Sequence, residues 1–155
     1  MVQFNELLVG LGSIPNSGPM NADISGIAYD SRRVNPGDLF VAIPGTQTDG
    51  HRFLEEAVHR GAAGLVVRNL ADTSVKNINA PVAMAEVSDI RAALAIVTDR
   101  FYGHPSGQVR VVGITGTNGK TTCTYLTESI LRAAGRSTGV IGTIAYRWDP
   151  RNQET

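Results

Sequence analysis

The sequence is poor in the residues that mark secreted and nucleic-acid-binding proteins. It contains one cysteine, Cys123, which excludes an intramolecular disulfide and is typical of a reducing compartment. The 14 basic and 14 acidic side chains cancel. The chain therefore lacks the net positive charge with which proteins attract nucleic acid or an anionic membrane. We expect its partners to be of another kind.

Targeting and membrane-spanning patterns are missing as well. No lysine or arginine precedes Arg32, so the positively charged start of a secretory signal is absent. No apolar run approaches the roughly 20 residues that span a bilayer. The sequence therefore predicts a soluble cytoplasmic protein that does not associate with membranes.

Strand and helix patterns alternate along the chain. Short apolar runs predict strands at 24–29, 39–43, 63–67, 81–87, 109–114 and 138–144. Between them, apolar residues recur at helical spacing, and the predicted helices begin near Phe53, after a cap at Ser88, and after Gly119. This alternation predicts an α/β fold.

A break divides this pattern into two parts. Residues 103–107, GHPSG, combine glycine, proline and serine and indicate a linker. We therefore expect one domain at residues 1–108 and the start of a second at residues 109–155. The second part is too short to complete a doubly wound sheet with helices on both faces. An incomplete sheet exposes an edge through which chains can associate into oligomers.

The stretch GITGTNGKTT, residues 113–122, contains one of only two lysines in the chain, Lys120; the other is Lys76. A predicted strand precedes it and a predicted helix follows, which is the setting of a phosphate-binding loop. Glycines allow the backbone to wrap a phosphate, and the positive end of the helix dipole lies behind it. The spacing is G-x5-G-K-T, one residue longer than the usual pattern.

This loop supplies the candidate nucleotide-binding residues. Lys120 would contribute a cation to the β- and γ-phosphates of ATP and is the candidate catalytic residue, while the Thr121 hydroxyl is a candidate ligand for Mg²⁺. The alternative is a structural turn that happens to contain a lysine; against it, a lysine at a helix N-terminus opposes the dipole unless an anion binds there. The candidate nucleotide-binding residues are Thr115, Gly116, Thr117, Asn118, Gly119, Lys120, Thr121 and Thr122.

The histidines and the cysteine suggest no second site. His51, His59 and His104 lie at no metal-ligand spacing with one another or with Cys123. We expect solvated or capping histidines. Cys123 lies on the apolar face of its predicted helix, and we expect it to be a small core residue.

Two segments together resemble the Mur ligases. These are GTNGKTT with GVIGTI (139–144) after it, and YDSRRVNPGDLFVAIPGTQTDGHRFLEEAVHRGAAGLVV (29–67). The resemblance extends over essentially the whole chain, including RFYGHPS (100–106). It implies a uridine-nucleotide-binding domain at residues 1–108, followed by the front of an ATP-binding domain.

Within the family, the chain is most similar to the ligases that add the third amino acid of the peptidoglycan peptide. The ligases that add D-Ala-D-Ala are the alternative; their loop more often has serine where Thr117 stands. The resemblance implies that the substrate is UDP-MurNAc-L-Ala-D-Glu. Its γ-carboxylate would take phosphate from ATP, with Mg²⁺, and a diamino acid, usually meso-diaminopimelate or L-lysine, would displace that phosphate.

Carried over by position, the family's uridine-nucleotide contacts fall on Tyr29, Ser31, Thr46, Gln47 and Thr48. On the residues alone, DSRR also fits a turn in which Asp30 and Ser31 bond to the local backbone. The resemblance further implies that later parts of the ligase supply the other substrate groups, so we expect no ligase activity from these residues alone. A binding module without catalysis and a small P-loop kinase remain as alternatives.

Overall fold

The computed structural model describes residues 1–12, 14–45, 48–69, 78, 80–144 and 146–148. The chain divides into two compact units, Met1–Val109 and Arg110–Thr155. The described part of the first unit contains β1 (Val2–Gln3), α1 (Phe4–Leu8), β2 (Ile14–Ser17), β3 (Asp23–Ile24), β4 (Gly26–Ala28), β5 (Asp38–Val41), α2 (Leu54–His59), β6 (Gly64–Val67), β7 (Ala83–Glu86) and α3 (Ile90–Phe101). That of the second contains α4 (Lys120–Ala133), β8 (Gly139–Ile141) and β9 (Tyr146–Trp148).

The first unit is built on a five-stranded sheet in the order β2-β7-β6-β5-β4. Strands β4 to β7 are parallel, and β2 is an antiparallel edge strand beside β7. Strands β1 and β3 form a separate antiparallel pair. The expected α/β class is therefore confirmed, with consecutive parallel strands connected across the faces of one sheet.

Side chains of the central strands pack on both faces of this sheet. Along β5, Leu39 and Val41 belong to one buried cluster, whereas Phe40 belongs to the other. The first cluster includes residues of α1 and α3, and the second includes Leu54 and Ala57 of α2. Because both faces are covered, the central strands are continuous apolar runs rather than alternating ones.

Two details of the first unit differ from the sequence prediction. The strand predicted at 24–29 is interrupted at Ser25, whose N–H donates to the carbonyl of Gly37, and the two halves join different sheets. The cap of α3 is Asp89, not Ser88: its carboxylate accepts from the N–H groups of Arg91 and Ala92, both at 3.0 Å. A carboxylate also interacts favourably with the positive end of the helix dipole.

In the second unit, the predicted helix is confirmed, but the strand predicted at 109–114 is not formed. A strand needs a hydrogen-bonded neighbour, and among the described residues β8 pairs instead with β9, in antiparallel register. The strand predicted at 138–144 is thus present as Gly139–Ile141, whereas no strand was predicted where β9 lies. The pairing sets Ile141 opposite Tyr146, a combination that stabilises antiparallel strands.

No described residue of the second unit is buried. Leu126 and Ile130, on the apolar face of α4, are 59% and 68% exposed. Cys123 is exposed too, so the expectation of a core cysteine was wrong, because no described element packs over this face. No helix in the described part of the chain is long and apolar enough to cross a membrane.

Gly64 is required by close packing under Phe4. A Cβ at this position would lie 2.7 Å from Phe4 Cδ2 and 3.1 Å from Leu39 Cδ1. We expect Gly64→Ala to lower the free energy of unfolding by about 1–3 kcal/mol, because the core must shift to admit the methyl group. The matched control is Gly107→Ala, where a Cβ would meet no atom within 4 Å. Equal denaturation midpoints for the two variants would contradict the packing described.

The exposed apolar face of the second unit predicts unequal protection of the backbone. We expect amides of α4 and β8 to exchange with solvent faster than those of β5 and β6 in a dilute monomer, because local opening there uncovers little additional apolar surface. Hydrogen exchange followed by mass spectrometry measures both units in one sample. Slow, uniform exchange across 138–144 would show that the prediction is wrong.

Candidate functional site

The loop that precedes α4 has the backbone geometry of an anion site. Gly116 and Gly119 adopt φ of 148° and 75°. A Cβ at Gly119 would meet nothing within 4 Å, so this glycine is favoured by its backbone conformation rather than by lack of space. Gly119 is also the N-cap of α4 and provides no side-chain cap. The first N–H groups of a 14-residue helix are thus open to an external acceptor.

Lys120 lies folded over this loop. Its Nζ donates to the carbonyl oxygens of Gly116 at 2.6 Å and Thr117 at 3.2 Å. The ammonium is therefore held above the turn instead of extending into solvent. The predicted nucleotide-binding residues 115–122 form one exposed segment, in which a cation, the helix N-terminus and the loop glycines lie together.

The first unit has a separate groove of about 370 Å³ beside β4. Tyr29, which follows β4 and is 64% exposed, lines it together with Arg33 and Tyr102. Asp30 and Asp38 line it as well. Because carboxylates and a guanidinium are both present, the groove has mixed charge, which suits a polar, uncharged group better than a phosphate.

Asp30 behaves as the turn interpretation of DSRR predicts. It caps the 3₁₀ turn Ser31–Arg33, accepting from the backbone N–H of Arg32 at 3.1 Å. The Arg32 guanidinium also donates to it, from Nε at 2.9 Å and Nη2 at 2.7 Å. These bonds from the Arg32 side chain lower the pKa of Asp30 to about 2. Asp30 and Arg32 therefore neutralise each other.

Ser31 is buried, and its hydroxyl is already engaged. Oγ donates to Oε2 of Glu56 at 2.8 Å, and the other carboxylate oxygen of Glu56 accepts from Nε of Arg60 at 3.1 Å. A carboxylate can only accept hydrogen bonds, so the single hydroxyl proton of Ser31 is used in the bond to Glu56. Ser31 can therefore accept a hydrogen bond from a ligand but cannot donate one. Ser31 is thus held in place by Glu56 of α2, a contact that the sequence did not predict.

Parallel pairing brings the predicted uridine-nucleotide residues to one edge of the sheet. Tyr29 and Ser31 follow β4, and the segment 43–49 follows β5, its parallel neighbour. Thr48 is exposed, and its carbonyl accepts from the N–H of Gly45 at 2.9 Å. Thr46 and Gln47 lie outside the described residues. The described members of the set therefore lie at the carboxyl ends of adjacent strands, the usual position of ligand contacts in α/β sheets.

One polar residue in this region was missed by the sequence analysis. His51 was expected to be solvated or capping; it is 4% exposed and therefore not solvated. Its Nδ1 lies 2.7 Å from Oδ1 of Asp49, and its Nε2 accepts the N–H of Arg68 at 3.1 Å. Burial raises the pKa of Asp49, but hydrogen bonds from the backbone and ring of His51 outweigh this and lower it overall. The residues DGH (49–51) are too few to show the apolar periodicity from which burial is predicted.

The histidines do not form a metal site. His104 contacts Asp99, with Nδ1 and Oδ2 2.6 Å apart, far along the chain from His51 and Asp49. Within the described ranges, no group of three or more histidine, cysteine, aspartate or glutamate side chains could hold a metal ion.

Comparison with known proteins agrees with these features. The model of the Mur ligase family, catalytic domain, matches residues 23–102, and that of the Mur ligase middle domain matches residues 114–155. The chain belongs to the Mur ligase family, as the resemblance of its two motifs indicated.

Relatives extend the match over most of the chain. A UDP-N-acetylmuramoyl-L-alanyl-D-glutamate–2,6-diaminopimelate ligase of Syntrophomonas wolfei is 45% identical over 90% of this chain and 27% of its own length. A ligase of the same name from Gloeobacter violaceus is 39% identical over 99% of this chain and 30% of its own length. A UDP-N-acetylmuramyl-tripeptide synthetase of Roseiflexus is 44% identical over 94% of this chain and 28% of its own. The chain thus spans little more than a quarter of the length of these relatives.

Solved structures support the fold. A UDP-N-acetylmuramoyl-L-alanyl-D-glutamate–2,6-diaminopimelate ligase matches with a TM-score of 0.69 and 24% identity, over 96% of this chain and 29% of the other. The MurF ligase of Thermotoga maritima in complex with ADP matches with a TM-score of 0.54 and 29% identity, over 72% of this chain and 24% of the other. Mur ligases are ATP-dependent enzymes, and the ADP complex of this relative agrees with that requirement.

Proposed function

We propose that the chain is the N-terminal part of a ligase that adds the third amino acid, meso-diaminopimelate, to UDP-MurNAc-L-Ala-D-Glu in peptidoglycan precursor synthesis. The observation that carries the proposal is Lys120 folded over the glycine loop at the N-terminus of α4, in a chain of this family. Relatives named as 2,6-diaminopimelate ligases are 38–47% identical to this chain, and they support the choice of diaminopimelate as the amino acid that is added. Among the solved structures, the MurF ligases are 29–32% identical over 71–72% of the chain, and the 2,6-diaminopimelate ligase is 24% identical over 96% of it.

The two units would divide the binding of the substrates. Residues 1–108 would bind UDP-MurNAc, with contacts from Tyr29, Ser31 and the segment 46–48. The mixed charge of the groove beside Tyr29 favours the uracil or the ribose there over the pyrophosphate. Residues 109–155 would begin the ATP-binding domain, with phosphate contacts from residues 115–122. Both nucleotides are found in the cytoplasm, where we expect the protein to act.

Activation of a carboxylate explains why a cation is needed in the loop. A carboxylate is a poor electrophile, and phosphorylation turns it into an acyl phosphate that an amine can attack. Lys120 would stabilise the negative charge on the phosphoryl group during this transfer. To do so its Nζ must leave the carbonyls of Gly116 and Thr117 for phosphate oxygens, a movement within reach of its four-carbon side chain.

Thr121 is the residue that would hold Mg²⁺. It is exposed in the first turn of α4, next to Lys120, and its hydroxyl is a hard oxygen ligand. Mg²⁺ in nucleotide sites commonly takes one or two protein ligands and completes its shell with phosphate and water, so the lack of a carboxylate cluster in the described residues does not conflict with it. When bound, the ion would neutralise phosphate charge.

The 155 residues alone would bind nucleotides without forming the amide bond. They span about a quarter of their relatives, and the amino-acid site and the remaining ATP contacts of the family would come from the rest of a longer protein. The exposed apolar face of the second unit supports the further expectation that isolated chains self-associate there.

Binding of UDP should depend on the residues at the carboxyl edge of the first unit. We expect calorimetric titration of the chain with UDP to show binding, and Ser31→Ala with Gln47→Ala to weaken it about tenfold or more through lost polar contacts. The matched control is Ser106→Ala with Gln108→Ala, at exposed positions of the same unit. Because Ser31 also bonds to Glu56, the melting temperature must be measured beside the titration. If the double variant binds UDP as tightly as wild type, the uridine site lies elsewhere in the chain.

Lys120 should be needed for catalysis but not for binding of the uridine nucleotide. In the full-length ligase, we expect Lys120→Ala to lower the rate by about two to four orders of magnitude, the usual effect of removing one electrostatic contact to a transition state. Lys120→Arg should not restore it, because a planar guanidinium does not replace a compact ammonium. Phosphate release from ATP, measured with both other substrates present, tests this.

The control for the lysine experiment is the other lysine of the chain, as Lys76→Ala, which should leave phosphate release unchanged. A parallel titration with the UDP-linked dipeptide should give the same affinity for wild type and Lys120→Ala. Near-normal turnover in Lys120→Ala would mean that the loop is a structural turn, and the ligase proposal would lose its chemical basis.

A further inference from the structure

The segment 44–50, which we call the 44–50 loop, is closed at its base by backbone contacts. Pro44 and Asp49 form a β-bridge, and the N–H of Gly50 donates to the carbonyl of Ile43 at 3.0 Å. A Cβ at Gly50 would lie 2.6 Å from that carbonyl oxygen, so only glycine permits this approach. The base of the loop is therefore tightly built, although Thr48 near its tip is exposed.

His51 connects this base to the neighbouring strand. The Asp49 carboxylate accepts both the backbone N–H of His51, at 3.0 Å, and its ring Nδ1–H, at 2.7 Å. Nε2 is then the unprotonated nitrogen and accepts the N–H of Arg68, the residue that follows β6. Both ring nitrogens are used by a single neutral tautomer, and the ring is buried.

A second contact holds the opposite side of the loop. Nη2 of Arg91, in the first turn of α3, donates to the carbonyl of Pro44 at 3.0 Å. The 44–50 loop is thus attached to α3 at its first residue and, through His51, to the end of β6 at its last. A loop fixed at both ends needs less ordering when a ligand binds, and that saved entropy increases affinity.

We infer that His51 is a positioning residue for the uridine nucleotide: it holds Asp49 and the base of the 44–50 loop, so that Thr48 is in place before the ligand arrives. The inference rests on the proposed function, since it assumes that this loop contacts the uridine nucleotide. His51 itself touches no ligand and takes no part in phosphoryl transfer.

Two substitutions of His51 separate its hydrogen bonds from its volume. His51→Phe fills similar space but neither donates to Asp49 nor accepts from Arg68. We expect it to weaken UDP binding to the 155-residue chain about tenfold, because the base of the loop must then be ordered when the ligand binds. His51→Gln can again offer an acceptor to the N–H of Arg68, and we expect it to restore most of the affinity. The matched control is His59→Phe, on the exposed side of α2, which should bind UDP as wild type does.

A merely structural role would reduce the amount of folded protein without changing the affinity of what remains. Titrations are therefore run well below the melting temperature of each variant. In the full-length ligase, His51→Phe should raise KM for the UDP-linked substrate about tenfold and leave KM for ATP unchanged. Equal changes in both constants would contradict a positioning role.

A measurement on the unsubstituted chain keeps the inference testable if His51→Phe does not fold. Nitrogen NMR should show Nε2 of His51 unprotonated and bonded to the Arg68 amide already in the chain without UDP. If wild type binds UDP but Nε2 is protonated or unbonded in the free chain, or if His51→Phe binds UDP as tightly as wild type, the inference is wrong and the proposed function stands. If wild type binds no UDP, the proposed function itself is wrong.

Discussion

The parallel hydrogen bonding of β4, β5, β6 and β7 is the constraint on which the first unit depends. Parallel neighbours cannot be joined by tight turns, so each connection must cross a face of the sheet, and the crossing segments cover both faces. The same arrangement gathers all the carboxyl ends at one edge. Tyr29, the 44–50 loop and Arg68 meet there for that reason, although up to 39 positions separate them in the sequence. The candidate uridine site is therefore formed by the parallel pairing of these strands and not by one continuous segment of the chain.

The second unit depends on a different principle. Its candidate site is local: loop, lysine and first helical turn are consecutive in the chain, and the helix supplies its own dipole. Such a site needs little from a distant core, and it is well formed even though no described residue around it is buried. What a surrounding core would add is rigidity of the helix behind the loop.

This contrast explains which features the sequence could predict. Helix α4 follows from a short stretch in which the glycines before it and the helical periodicity after it agree, and its prediction is confirmed. That the loop before it binds phosphate stays a prediction. The segment 109–114 has a strong apolar pattern, but it forms no strand. A strand also needs a hydrogen-bonded partner, and the residues of one segment do not predict which partner it has. β9 was missed because its three residues, YRW, are too few to show a strand pattern and form a strand by pairing with β8. His51 is a buried polar residue whose partners come from a loop and from another strand, and no spacing rule connects Asp49, His51 and Arg68.

The charge of Lys120 has a consequence for how fast a nucleotide can arrive. Its ammonium is shared between two carbonyl oxygens of its own loop, and the chain as a whole carries no net charge. Hydrogen bonds to neutral carbonyls do not cancel the charge of the ammonium, and residues 110–155 contain six basic and three acidic side chains, so the second unit carries an excess of positive charge that attracts anions. Association of a nucleotide with this unit should then slow as the ionic strength rises, because salt screens the attraction between the basic side chains and the phosphates.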